Sequence, residues 1–324
     1  MKGVLCMKHS YREEYTPVGD IQTYLLTYPA AQGKPVLLFL HGGPGVSECY
    51  AAYAYHELLG DACTLIFYDQ RGAGRTLRRN PHAPVSLGLI LDDLDALIHL
   101  LQSRYPDSPF ILMGHSWGTV PGALYALQHP ESIARYIGMG QVVSMAESAR
   151  VACAALRKVL NVCASSHDRA RFNALLPYPP AHWDKPSLEH AMLVQTLCHK
   201  YGLREPNPVP MAPVMRHSPT FTLRDYLDGE RGAQHNMPFL CAMANTFDLT
   251  AFPAAWRVPV TFITGGCDYI TPLLPVQHYF EQMAAAEKQL IVMENCGHDP
   301  MFDQPETFRE ILLKQIQKTE NEGA

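Results

Sequence analysis

The chain has 324 residues, 47% of them hydrophobic and 18% charged, with a formal net charge of −5. This is the composition of a soluble globular protein with room for one core plus an insertion, or for two ordinary domains. An apolar span of about 18 residues is missing and the charge balance is acidic, which excludes a membrane-spanning helix and disfavours nucleic acid as a partner. Nine cysteines without C-x-x-C spacing suit reduced thiols in a cytoplasm, and no Cys or His pair has the spacing of a zinc site. The opening "MKGVLCMKHSYREEY" acquires charges too early for a signal peptide.

In chain order, "REEYTPV" and "IQTYLLTY" flank Gly19-Asp20 and read as a β-hairpin. "PVLLFL" at 35–40 and "CTLIFYD" at 63–69 are short, β-rich and bounded by glycine or proline, as buried parallel strands are. "SLGLILDDLDALIHLLQSRY" then sets Leu87, Ile90, Leu91, Leu94, Leu97, Ile98 and Leu101 on one helical face, with Asp92, Asp93 and Asp95 largely opposite. "FILMGHSWGTVPG", from Phe110 to Gly122, passes from a continuous apolar run into small residues. The next stretch, with Val120, Leu124 and Leu127 at helical spacing, stops at Pro130. A strand therefore turns sharply into a helix at Ser116, with Gly114 and Gly118 on either side because no side chain fits there. "IARYIGMG" supplies a further strand.

From 141 to 256 the alternation stops. Helical pieces such as "SARVACAALRKVLNVC" and "SLEHAMLVQTLCHKYG" are separated by "LLPYPPAHWDKP" and "EPNPVPMAPVMRHSP", whose prolines predict extended connections. Alternation resumes with "VPVTFITGG", the helical "PVQHYFEQMAAA", the strand "KQLIVMEN" and a last helix around "PETFREILLKQIQK". The pattern predicts an α/β core, residues 1–140 and 257–324, whose mostly parallel sheet is covered by a mostly helical insertion, residues 141–256. Such an insertion lies over the carboxyl ends of the strands, where open α/β sheets bind ligands.

G-x-S-x-G at a strand-to-helix turn is the pattern of a nucleophile elbow. A serine at its ordinary pKa attacks poorly and needs a base oriented by an acid, here in the chain order Ser, Asp or Glu, His. Asp268 closes "VTFITGGCD" and His298 closes "LIVMENCGH", each directly after a predicted strand. Asp299 and Asp303 are rival acids, as is Asp69, although it precedes the serine. Acyl transfer also needs backbone N–H donors for the developing oxyanion. "LFLHGGPG" at 38–45 offers Gly43 N–H, and Trp117 N–H follows the nucleophile. The alternative for this glycine turn, a phosphate cradle, lacks the rest of either phosphate motif. His41 reads as a brace for the turn, Trp117 equally as pocket wall or packing residue, and Cys267 and Cys296 as packing residues.

"HGGPG", "DQRGAGRT", "GHSWGT", "TGGCDYITP" and "GHDPMFDQPETF", in this order, make the chain resemble the proline iminopeptidase group of α/β-hydrolases. The resemblance implies an α/β-hydrolase fold, Ser116, Asp268 and His298 as triad, Gly43 and Trp117 as oxyanion hole, and a helical cap. It also implies structural roles for Asp69 and Arg71 in a charged network, and no cofactor. Where members recognise a free amino terminus through carboxylates, one can directly follow the catalytic Asp, and here that neighbour is Tyr269. Glu189, Asp225, Asp228, Glu230 and Asp248 of the insertion are the candidates for binding a substrate ammonium. The expected activity is removal of an N-terminal residue from short peptides or amino-acid amides. The alternatives are a carboxylesterase or lactonase on a small neutral acyl substrate, or a non-catalytic ligand-binding protein on the same fold.

Overall fold

The structure, a computed structural model, describes residues 10–322, so the first nine residues of the N-terminal segment discussed above lie outside it. Its centre is an eight-stranded sheet. The strands are β1 (Arg12–Val18), β2 (Ile21–Tyr28), β3 (Val36–Leu40), β4 (Thr64–Tyr68), β5 (Phe110–His115), β6 (Arg135–Met139), β8 (Val260–Gly265) and β10 (Lys288–Met293), with β7 (Ala255–Trp256) and β9 (Ala284–Ala285) forming a separate short pair. The sheet order is β1-β2-β4-β3-β5-β6-β8-β10. β1–β2 and β2–β4 pair antiparallel and every other pair is parallel. Gly19, at φ +55, makes the predicted hairpin turn.

Both faces of the central strands are dry, which is why they read as unbroken apolar runs. Val36, Leu38 and Leu40 of β3 face one layer with Ile90, Leu94, Leu97 and Leu101 from helix Leu87–Arg104. Leu37 and Phe39 face the other with Tyr55, Phe308, Leu312 and Ile316. Among the described residues, no helix is long and apolar enough to cross a membrane.

Between β6 and β8 the chain runs through helices Met145–Cys163, Ser166–Asn173, Lys185–Lys200, Met211–His217 and Leu223–Thr246. They have an apolar cluster of their own, including Leu156, Leu160, Phe172, Trp183, Leu188, Val194 and Leu197. One stretch predicted as an extended connection is partly helical. Met211–His217 admits Pro213 because a proline in the first turn gives up an N–H that has no helical partner. Helix Leu223–Thr246 is seated on the core. Asn236 Nδ2 donates to Gly72 O at 2.8 Å, and a Cβ on Gly232 would stand 1.9 Å from Gly45 O.

Helix Leu87–Arg104 departs from its expected polarity. Asp93 is buried rather than solvent-facing, because Arg71 meets it with two bonds, Nε to Oδ2 at 2.7 Å and Nη2 to Oδ1 at 2.9 Å. Asp69 takes no part in that pair. It accepts the Arg75 N–H at 2.6 Å and the Cys49 thiol at 3.3 Å. Arg71 also donates to the exposed Asp20 through Nη2, so Asp93→Ala removes the two buried bonds while one carboxylate partner remains, and is expected to cost about 1.5–3 kcal/mol in a urea melt. Arg104→Ala, at a half-exposed pair with Glu14, is expected to cost under about 1 kcal/mol.

Candidate active site

β5 ends at His115, and Ser116 follows at φ +50, a left-handed conformation rare for any residue but glycine. The turn Ser116–Gly118 leads into helix Thr119–Gln128. Both glycines are required by contact. A Cβ on Gly118 would lie 2.0 Å from Leu40 O, and one on Gly114 2.6 Å from Gly118 O. The serine is thus held out at the carboxyl end of the sheet by a turn with no spare room.

Beside it, β3 runs into His41-Gly42-Gly43-Pro44-Gly45. The His41 ring accepts the Gln70 N–H at Nε2, 2.9 Å, so its Nδ1 carries the hydrogen donated to Gly42 O at 2.7 Å. Gln70 returns a bond to His41 O at 2.8 Å, and its side-chain oxygen accepts Trp117 Nε1–H at 3.1 Å. His41 braces the turn as expected. Trp117 does both things expected of it, lining a cavity and stacking edge-on against Phe239 at 5.3 Å.

At the other side, Gly265 at the end of β8 sits flush on the 296–298 loop, where a Cβ would come 2.0 Å from Gly297 O. The two loops present Asp268 and His298 to each other, with Nδ1 2.8 Å from Oδ2. Ile270 N, Thr271 N and Thr271 Oγ1 also donate to Asp268, at 2.7, 2.9 and 2.7 Å. Burial opposes the Asp268 charge, but His298 and these donors win and hold its pKa down at about 2. Burial likewise opposes protonation of His298, and Asp268 outweighs it, so the imidazole pKa is raised. With Nδ1–H committed to Asp268, Nε2 is left as the basic nitrogen. Of the rival acids, Asp303 accepts Gly297 N–H at 2.7 Å and Asp299 approaches His115 rather than the His298 ring. Cys296 is buried, its thiol pushed up to about 12 by burial, and Cys267 is half-buried beside it; neither has the lowered pKa of a nucleophile.

Ser116, Gly43 and Trp117 open into one cavity of about 430 Å³. Its wall comes from the core and the insertion, with Val120, Met145, Trp183, Leu188, Met243 and Phe247 among the lining residues, and carries no charged side chain. Asp268 and His298 line a second cavity of about 210 Å³, with Glu205, Asp299 and Asp303. Gln195 and Ile270 belong to both. Asp303 is pushed up to about 6, by burial first and then by Glu205 and Asp299.

The insertion carboxylates expected to bind an ammonium are not brought here. Asp225 and Asp228 are held by Arg75 and Arg78, with Asp225 Oδ1 2.9 Å from Arg75 Nε. Asp248 caps a turn at Thr250 N, 2.9 Å, and Glu189 and Glu230 are exposed. Helix Leu223–Thr246 turns its acidic first turns toward the arginines of helix Gly74–Arg79, away from both cavities. Glu205 escaped the sequence reading because it stands alone in a proline-rich connection with no periodicity. Glu48 and His115, a pair beside the elbow with the ring buried and the carboxylate half-buried, also carry no local signal in the sequence.

Fold and elbow together define an α/β-hydrolase. The chain matches the alpha/beta hydrolase family over residues 37–311 and belongs to it. It is similar to "Probable aminopeptidase YbaC" of Bacillus subtilis, 25% identical over 305 residues covering 92% of this chain and 93% of that protein. It is also similar to proline iminopeptidase of Thermoplasma volcanium, 22% identical over 307 residues covering 94% and 96%. Among solved structures, proline iminopeptidase of Mycobacterium smegmatis shares the fold at a TM-score of 0.67, with 20% identity over 97% of this chain and 100% of that one.

An opposite charge this close to an imidazole raises its pKa by about 1–3 units. Asp268→Asn is therefore expected to lower the His298 midpoint by at least about one unit, read by NMR titration of the ring. An unmoved midpoint would mean that the pair is not formed in solution.

Proposed function

We propose that the chain is a serine hydrolase of the aminopeptidase type that works through an acyl-enzyme. The observation that carries this reading is the left-handed Ser116 at the end of β5, opening into a cavity beside the Asp268–His298 pair. His298 Nε2 takes the Ser116 proton as Oγ attacks the substrate carbonyl, and the Gly43 and Trp117 N–H groups receive the oxyanion. His298 then protonates the leaving amine. Water, deprotonated by the same nitrogen, attacks the acyl-enzyme and frees the acid with the serine restored. Asp268 keeps the ring in the working tautomer and stabilises its cation.

The names of the full-length relatives favour cleavage of an N-terminal residue. The apolar cavity would take that residue's side chain, and Glu205, Asp299 and Asp303 supply negative charge near His298 for its ammonium. Gln195 adds an acceptor: its Nε2 donates to Tyr269 O at 2.6 Å, while its buried oxygen has no partner among the described residues. Residues 141–256 act as a cap that limits substrates to short peptides and amides. The described cysteines are free thiols, which supports a cytoplasmic setting.

One observation favours a second reading, esterase or lactonase action on a neutral acyl group: no charged side chain lines the cavity around Ser116. Steady-state kinetics on p-nitroanilides of apolar amino acids, with free and N-acetylated amines, together with p-nitrophenyl acetate and butyrate, separate the two. The aminopeptidase reading expects kcat/KM for the free amine to exceed that of its acetylated partner by at least about tenfold, a difference of the size one charge-assisted hydrogen bond makes. Ester turnover with no amide cleavage selects the second reading. In either case Ser116→Ala is expected to lower kcat by about 10⁴ or more, and binding without turnover would remove both.

A further inference from the structure

Glu48 and His115 have no part in the proton transfers above, yet they pair within the site, the ring buried and the carboxylate half-buried. His115 is 4% exposed. Its Nδ1 is 2.9 Å from Glu48 Oε1, and its Nε2 is 3.1 Å from the backbone oxygen of His298. Burial opposes the Glu48 charge, but His115 outweighs it and keeps the carboxyl ionised; an ionised carboxylate and a carbonyl only accept, so both ring nitrogens carry hydrogen and the ring is an imidazolium. Glu48 in turn lies against the glycine turn at Gly42. A Cβ on Gly42 would lie 3.1 Å from Glu48 Oε1 and 3.3 Å from Ser116 Cβ, so glycine turn, carboxylate and serine are in contact.

We propose that Glu48 and His115 are positioning residues: one ion pair that ties the glycine turn, the strand end carrying Ser116 and the loop carrying His298 into a single unit, and whose cation restrains protonation of His298. The proposal rests on the serine-hydrolase reading for its catalytic consequence. Its electrostatic half follows from the ring geometry, with the centroids of His115 and His298 4.9 Å apart. Asp268 favours the charged form of His298, and a fixed cation next door opposes it, which keeps more of the base neutral near neutral pH. Burial works against the His115 charge, but Glu48 outweighs it and the pKa is pushed up to about 10, so the cation persists through the working range. Other titratable groups facing this cluster are Asp268, Asp299 and Asp303 on the His298 side, and His41, Tyr50 and Tyr55 on the Glu48 side.

Two measurements test the proposal. In wild-type protein labelled with ¹⁵N-histidine, with the His115 signals assigned through His115→Gln, the ring is expected to keep the chemical shifts of a cation at pH 8. A His115 that titrates near 6.5 overturns the proposal whatever the enzyme does. In kinetics on p-nitrophenyl butyrate, or on the p-nitroanilide that is turned over, His115→Gln and the isosteric Glu48→Gln are each expected to move the acid limb of kcat/KM upward. The shift should be about half a unit to one unit, the size of one unit charge removed at about 5 Å in a well-solvated setting. At the plateau, kcat should fall about tenfold with KM within about twofold, the pattern of a lost transition-state alignment. Folded variants with an unmoved limb and full kcat also overturn it. If wild-type turnover is absent or survives Ser116→Ala, the serine-hydrolase reading fails instead, and the NMR measurement still decides the charge of His115.

Discussion

The site depends on one steric constraint, the contact between Gly118 and the backbone of Leu40. The turn after β5 lies so close to the end of β3 that no Cβ fits between them. Because β3 and β5 are neighbours with Leu40 opposite Gly114, this contact brings the serine and the glycine turn to the same end of the sheet. The same device recurs across the site. Gly265 packs on Gly297 below the Asp268–His298 pair, and Gly232 packs on Gly45 where the insertion meets the glycine turn. In each case two backbones touch, and a backbone contact tolerates less displacement than one between flexible side chains. A site assembled from four loops can in this way hold its distances.

Charge pairing sets the orientation that these contacts leave free. Arg75 and Arg78 hold the first turns of helix Leu223–Thr246 through Asp225 and Asp228, and Asn236 fixes the same helix at Gly72. Seated in this way, the helix supplies Met237, Leu240 and Met243 to the wall of the apolar cavity. Two of the five carboxylates that looked available for a substrate, Asp225 and Asp228, thus hold the wall of the apolar cavity in place. A carboxylate paired with two arginines keeps its charge, but the neighbouring cations cancel the field that would attract an ammonium.

Much of this was legible because it follows from short-range rules. The buried strands read as unbroken apolar runs, the elbow as a serine between glycines at a strand end, and Asp268 and His298 as polar residues just past strands. The misreadings share a cause, since the deciding partner is far away in sequence. Asp93 lies on the side of its helix that periodicity assigns to solvent, and only Arg71, 22 residues earlier, makes its burial tolerable. Helix Leu223–Thr246 was not read as one element because it contains Gly229, Gly232 and Pro238, each a poor helix residue. The glycine at 232 is there for Gly45, not for the helix. Glu205 carries no local signal at all and reaches the second cavity only through the path of the insertion.

The electrostatics around His298 then follow from an opposition. Asp268 and Asp299 favour the imidazolium, and burial opposes it. His115 stands on the other side of the ring, close enough to oppose them. Its charge is itself held by Glu48, which lies against the glycine turn, so the charge balance at His298 and the packing of that turn meet at one pair of side chains. That coupling explains why a charged pair occupies a buried position beside the elbow, where an apolar residue before the serine would pack with less desolvation cost. An apolar residue there would leave the His298 carbonyl without its donor and the ring without the cation that opposes Asp268.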